Sequence, residues 1–149
     1  MSVAKPKEED VVLEVPSDLG AIERAVEYVL AYCEASHVAA ARLRLNLRVG
    51  LSEALANAML YGNGSDPDKR VRIEVSCSTY VIVARVTDEG EGFDPSRVPD
   101  PTTPECITKP CGRGLFLMRT LLDEVHFNDR GNSVTLVLRS RAVLRETQI

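Results

Sequence analysis

The sequence predicts an α+β domain in which helices pack on one face of a mixed, mostly antiparallel sheet, as a two-layer sandwich. Three observations lead there. Apolar residues recur at helical spacing through the first half of the chain and switch to alternation from residue 71 onward. The strand-like runs come in hairpin pairs and do not alternate with crossover helices, as a parallel sheet would require. The chain of 149 residues, 44% hydrophobic and 27% charged, has the composition of one ordinary globule. A domain of that size buries roughly 70% of its unfolded surface and needs no staples.

The elements follow in order. Residues 1–9, polar and rich in Lys and Glu, read as a loose tail, as do 141–149, which leaves a domain over 10–140. VVLEV at 11–15 has strand character. SDLGAIERAVEYVLAYCEASH then supplies Ser17 or Asp18 as an N-cap, and Ile22, Ala25, Val26, Val29, Leu30 and Cys33 form one apolar face. Residues 38–62 predict a second, longer helix that stops at Gly62, with Asn63 and Gly64 beyond it. GNGSDPD is a turn-rich connection.

VRIEVSC (71–77) and YVIVARV (80–86) make a hairpin around Ser78 and Thr79. DEGEGFDP (88–95) leaves its second strand. The prolines of SRVPDPTTPECITKPC (96–111) forbid regular structure there, and loops longer than about 12–15 residues are usually functional or disordered. GRGLFLMRTLLDEV opens a third helix, and VHFND with SVTLVLR forms a last hairpin turning at Asp129–Asn132. No internal repeat is present.

Several function classes are disfavoured. The net charge of -4 argues against nucleic-acid binding, which needs basic stripes to neutralise phosphates. The arginines of RLRLNLR, at 42, 44 and 48, do not all fall on one face of a helix. No stretch reaches the roughly 20 apolar residues that span a bilayer, and MSVAKPKEEDVV has no apolar signal region, so a cytoplasmic location is expected. The four cysteines, 33, 77, 106 and 111, read as free thiols. No further Cys or His lies near Cys106 and Cys111 to complete a zinc site.

Three motifs carry chemistry. In LSEALANAMLYGN (51–63) the helix seam of Asn46, Gly50, Glu53 and Asn57 falls on one face. Gly50 costs about 1 kcal/mol relative to Ala in a helix interior, which suggests that something needs room over it. Glu53 and Asn57 offer oxygen ligands suited to a hard cation such as Mg²⁺. In DEGEGFDP, Asp88 ends an apolar strand, and Gly90 and Gly92 let backbone approach a ligand closely. In CGRGLFLM (111–118) glycines open a helix, an arrangement that receives phosphates at the free N–H groups of its first turn. There is no GK[ST] of a P-loop and no dinucleotide fingerprint.

Together, and in this order, these motifs resemble the ATP-binding superfamily shared by gyrase, the heat-shock chaperone ATPases, sensor histidine kinases and mismatch-repair ATPases. Glu53 and Asn57 match its Glu-x-x-x-Asn helix, and Asp88, Gly90 and Gly92 its Asp-x-Gly-x-Gly box. Gly112 and Gly114 match its second glycine box, beyond a long nucleotide lid. EALANAMLYGN and GRGLFLMRTLLDEV are most similar to the bacterial anti-sigma-factor serine/threonine kinases. Where many of those proteins carry a His near the end of the first motif, this chain has Tyr61.

The resemblance implies ATP and Mg²⁺ as cofactors. Asn57 would bind the Mg²⁺, Asp88 would accept the adenine amino group, and Gly92 would lie behind the base. Gly112, Arg113 and Gly114 would cradle phosphates, Lys109 would reach a terminal phosphate, and Glu53 would orient the attacking hydroxyl. The implied activity transfers the γ-phosphate to Ser or Thr of an anti-anti-sigma protein and sequesters a sigma factor, in a homodimer with no direct contact to nucleic acid or membrane. An ATP-dependent binding module without transfer, or a stand-alone histidine-kinase catalytic domain, are the other readings.

Overall fold

The computed structural model describes residues 11–92 and 113–141. The expected tails, the proline-studded stretch 96–111 with Cys106, Lys109 and Cys111, and Gly112 lie outside the described residues. Five strands form one sheet: β1 (Val11–Pro16), β2 (Arg70–Cys77), β3 (Val81–Thr87), β4 (Glu124–Phe127) and β5 (Ser133–Arg139). Their spatial order is β1-β2-β3-β5-β4. Among the described residues every neighbouring pair is antiparallel, the limiting case of the sheet expected from the hairpins.

Alternation sets the register. Val71, Ile73 and Val75 of β2 and Ile82, Ala84 and Val86 of β3 are buried, while Arg72 and Arg85 between them are exposed. Ile73 pairs with Val86 and Val75 with Ala84; across the next seam Ala84 pairs with Leu136 and Ile82 with Leu138. A slip by one residue would turn every one of these side chains to the wrong face.

Three helices cover the apolar face. A 3₁₀ turn, Leu19–Ala21, leads into α1 (Ile22–Tyr32), and Asp18 caps that turn by accepting from Gly20 N at 2.9 Å. Helix α2 is continuous but not uniform. It is built from α-helical Ala40–Arg42, π-helical Leu43–Leu47, α-helical Arg48–Asn57 and π-helical Ala58–Gly62. The reason lies in its buried row. Leu43, Leu47, Leu51, Leu55 and Met59 are all within the core, yet a row of every fourth residue drifts by about 40° per step on a regular α-helix. Each π turn takes up one extra residue and swings the row back toward the sheet.

Helix α3 (Arg113–Leu121) packs beside α2 and buries Leu115 and Met118, with Leu122 just beyond its end. It is shorter than GRGLFLMRTLLDEV suggests. Asn46 Nδ2 of α2 donates to the Leu121 carbonyl at 2.8 Å, and Asp123 N bonds Val137 O at 2.9 Å, so the chain is already joining the sheet. Asp123 Oδ2 also accepts from Arg42 Nη2 at 3.0 Å and from Arg139 N at 2.6 Å. The three arginines of the 42–48 run thus part company: Arg42 bonds Asp123, Arg44 is exposed, and Arg48 pairs with Glu27.

The room expected over Gly50 is taken by a side chain of the protein itself. Gly50 is buried, and a Cβ there would overlap Leu122 Cδ2. The room is filled by the chain's own leucine. The upper half of the polar seam, Asn46 and Gly50, seats the end of α3; only the lower half, Glu53 and Asn57, faces open space.

Candidate functional site

That space is a cavity of about 500 Å³ between α2, the end of β3, the start of α3 and the β4–β5 hairpin. Glu53 and Asn57 line one wall, Asp88 and Gly92 another, and Arg113 and Gly114 stand at the mouth. Val86, Leu115, Met118, Phe127 and Val134 make an apolar floor. Such a mixture, apolar walls with a few convergent polar groups, is what a small-molecule site requires.

Glu53 and Asn57 come from one helical turn of α2, and their side chains make no hydrogen bond within the described residues. Gly114 lies directly against them: a Cβ there would stand 2.8 Å from Glu53 Oε2 and 3.1 Å from Asn57 Nδ2. The first turn of α3, whose N–H groups have no helical acceptor and carry partial positive charge, therefore sits over the carboxylate and the amide.

Asp88 is held by its neighbours. Its N–H donates to Asn132 O at 2.9 Å, and its Oδ1 accepts from Gly90 N at 2.8 Å. Burial pushes the Asp88 carboxyl above the ordinary aspartate range, while the Gly90 hydrogen bond and the charges of Lys69 and Arg130 pull it partly back. A carboxylate so placed is a fixed acceptor in a half-dry wall.

The glycines of this loop serve the protein's own packing. A Cβ on Gly90 would strike the Gly62 carbonyl, and one on Gly92, which has φ of +91°, would strike the Arg130 carbonyl. Gly62 in turn has the Asp88 carboxylate where its Cβ would be. The Asp88 loop is thus pressed between the end of α2 and the β4–β5 turn with no side chain in between. Gly90 is buried beneath the cavity, and Gly92 lines it.

Sequence reasoning missed four residues here. Gly62 read only as a helix end. Asn132 and Ser133, which line the cavity, read only as a hairpin turn and strand; Ser133 Oγ lies 2.8 Å from Thr87 Oγ1. Phe127 read only as strand. The signal that was available is the turn itself: Asn128 Oδ1 accepts from the backbone of Gly131, Asn132 and Ser133, and Asn at the head of a turn does this routinely.

The donor set fits a triphosphate with a hard cation. Asn57 and Glu53 offer side-chain oxygens beside the N-terminus of α3, and Mg²⁺ is ordinarily held by one or two protein oxygens together with phosphates and water. Among the described residues no cluster of three His, Cys, Asp or Glu side chains forms a protein cage for a metal, and none is needed for that mode. No helix of the described residues is long and apolar enough to cross a membrane.

Known proteins show which family the chain resembles. Residues 15–138 match the model of the histidine kinase-like ATPase domain. The chain is similar to the anti-sigma F factor of Geobacillus stearothermophilus, with 31% identity over 100 residues, 64% of this chain and 67% of that protein. It is 30% identical to the anti-sigma F factor of Anoxybacillus flavithermus over 95 residues, 61% of this chain and 64% of the relative. The serine-protein kinase RsbW of Oceanobacillus iheyensis is 26% identical over 107 residues, 68% of this chain and 66% of the relative. The chain thus spans about two thirds of the length of the curated relatives it matches. With its five-stranded sheet, its helices on one face and its match over residues 15–138, the chain belongs to the histidine kinase-like ATPase domain family.

Proposed function

We propose that this protein is an anti-sigma factor with serine/threonine kinase activity, which binds ATP with Mg²⁺ and transfers the γ-phosphate to a hydroxyl of an anti-anti-sigma protein. The observation that carries the reading is the convergence of Glu53, Asn57, Asp88 and the first turn of α3 on one cavity. The names of the relatives, anti-sigma F factor and serine-protein kinase, support it.

Each described residue of the cavity has a role that its placement suits. Asp88 accepts the amino group of the adenine, and the apolar floor of Val86, Met118 and Phe127 receives the ring. Asn57 would hold Mg²⁺, which would supply positive charge against the phosphates. The N–H groups at the start of α3, with Arg113, hold phosphate oxygens; the family resemblance extends that role to Gly112 and Lys109, outside the described residues. Glu53 orients the incoming Ser or Thr hydroxyl toward the γ-phosphorus. The new O–P bond forms as the bond to the β-γ bridging oxygen breaks; ADP leaves with that electron pair, and the hydroxyl proton passes late to the Glu53 carboxylate and on to solvent. In a loose transition state, orientation and charge matter more than early proton removal. The same protein, in the cytoplasm and as a homodimer, would hold a sigma factor when its partner is phosphorylated.

The test is transfer of labelled γ-phosphate to an anti-anti-sigma protein by wild type and Glu53→Gln, with ATP binding measured on both. The proposal expects binding in both and labelled Ser or Thr with wild type alone. Equal labelling by both would remove Glu53 from the chemistry, and binding without labelling by wild type would leave an ATP-dependent binding module.

A further inference from the structure

We infer that Asn63 is a positioning residue that sets the choice of nucleotide base by fixing the loop that carries Asp88; the inference rests on the ATP-site reading above. Asn63 is 2% exposed, and with Ser140 it makes up the buried polar side chains of the described residues. A buried amide must be satisfied, and this one is, from three directions. Its Nδ2 donates to Ser17 Oγ at 2.9 Å and to the Arg70 carbonyl at 3.0 Å, and its Oδ1 accepts from Glu89 N at 2.7 Å.

The orientation of that amide is determined by its partners. The Arg70 carbonyl only accepts and the Glu89 N–H only donates, so the side chain has one workable flip. Its own backbone is fixed as well, since Asn63 N bonds Ala58 O at 2.8 Å, closing the π turn that ends α2. One side chain therefore joins the exit of β1, the first residue of β2 and the residue directly after Asp88. Glu89 completes the tie by accepting from Arg70 N through Oε2 at 2.5 Å.

The Asp88 loop is then clamped from both flanks. The β4–β5 turn holds Asp88 N through Asn132 O, and α2 holds Glu89 N through Asn63. The glycine contacts with Gly62 and Arg130 supply closeness but no direction; hydrogen bonds supply direction. A single carboxylate distinguishes an amino group from a carbonyl only if it stays in place, because a mobile one turns away from the wrong base at little cost. No other residue type performs the same task here. Asp lacks the donors for Ser17 and Arg70, Leu lacks all three bonds, and Gln is one methylene too long for a buried slot.

The experiment is calorimetric titration of wild type, Asn63→Ala and Ser17→Ala with three probes, each with Mg²⁺. These are ATP, inosine triphosphate, which carries a carbonyl in place of the adenine amino group, and inorganic tripolyphosphate. Wild type should prefer ATP to inosine triphosphate. Asn63→Ala should lose about tenfold or more of that preference with tripolyphosphate affinity unchanged, and Ser17→Ala should lose a smaller part of it. An unchanged ATP-to-inosine-triphosphate ratio in Asn63→Ala would overturn the inference, as would a common loss for all three probes, the mark of a merely structural residue. If Asn63→Ala does not fold, an unchanged ratio in Ser17→Ala overturns it. Wild type that fails to bind ATP at all would defeat the underlying reading together with this one.

Discussion

Gly114, the second residue of α3, lies against the Glu53 carboxylate of α2: a Cβ at 114 would come within 2.8 Å of Glu53 Oε2. The contact joins the positive end of one helix to the carboxylate and amide of another. It makes the absence of a side chain at 114 a condition of the site's geometry.

Gly114→Ala therefore separates stability from activity. Alanine is the better helix former by about 1 kcal/mol, and Glu53, at the end of a flexible chain, can move aside. Thermal or urea unfolding should show stability unchanged or raised by up to that amount. Phosphotransfer should fall by about tenfold or more, because the displaced carboxylate no longer orients the hydroxyl. Full activity in this variant would count against the assigned role of Glu53.

Gly50→Ala should behave in the opposite way. The helix gains about 1 kcal/mol of propensity, but the new Cβ overlaps Leu122 Cδ2 in a closed part of the core. Overpacking of that kind costs about 1–3 kcal/mol, so urea unfolding should show net destabilisation. The double variant Gly50→Ala, Leu122→Ala should not be additive, because the second change removes the atoms the first one strikes.

Acid should weaken ATP binding earlier than an ordinary aspartate would. The folded Asp88 carboxyl is raised above 3.8, chiefly by burial, and in the proposed site its ionised form is the stronger acceptor for the adenine amino group. Affinity should fall as the pH drops through this raised value, and Asp88→Asn should bind weakly with that acid-dependent fall absent. The same shift has a consequence for the nucleotide-free protein. The native state takes up the Asp88 proton more readily than the unfolded chain, so the contribution of Asp88 to stability declines as pH rises from 3.8 through its folded value. At neutral pH, Asp88→Asn should be the more stable protein by denaturant titration.

Asp123→Ala tests the scaffold and spares the site. Asp123 accepts from Arg42 and from Arg139 N, with the Arg42 and Asp123 side chains 15% and 19% exposed. Its loss should destabilise by about 2–3 kcal/mol, with little effect of salt on the difference because the pair is mostly shielded. ATP affinity measured under folding conditions should stay at the wild-type value.

Much of this was legible in the residues. Period and turn chemistry give every strand and the hairpins, since Val71, Ile73 and Val75 or Ile82, Ala84 and Val86 alternate with polar neighbours. The π turns of α2 were not foreseen, although the long row Leu43, Leu47, Leu51, Leu55 and Met59, repeating every fourth residue, drifts off the face of a regular helix. What sequence could not supply is which segments touch. Gly50 and Asn57 share a seam, yet one meets Leu122 and the other a cavity, because the end of α3 closes over the upper half of α2 while its start, at Gly114, leaves Glu53 and Asn57 beside open space. Gly62, Asn63 and Asn132 acquire their roles only when three chain segments meet around Asp88. A local pattern holds no record of that meeting.

The most direct measurement is an ATP titration of wild type and Asn57→Ala, with and without Mg²⁺, in one buffer. The proposed site requires binding by wild type that strengthens with Mg²⁺, and loss of that strengthening in Asn57→Ala. Absence of ATP binding in wild type, or Mg²⁺-dependent binding that Asn57→Ala retains in full, would contradict it.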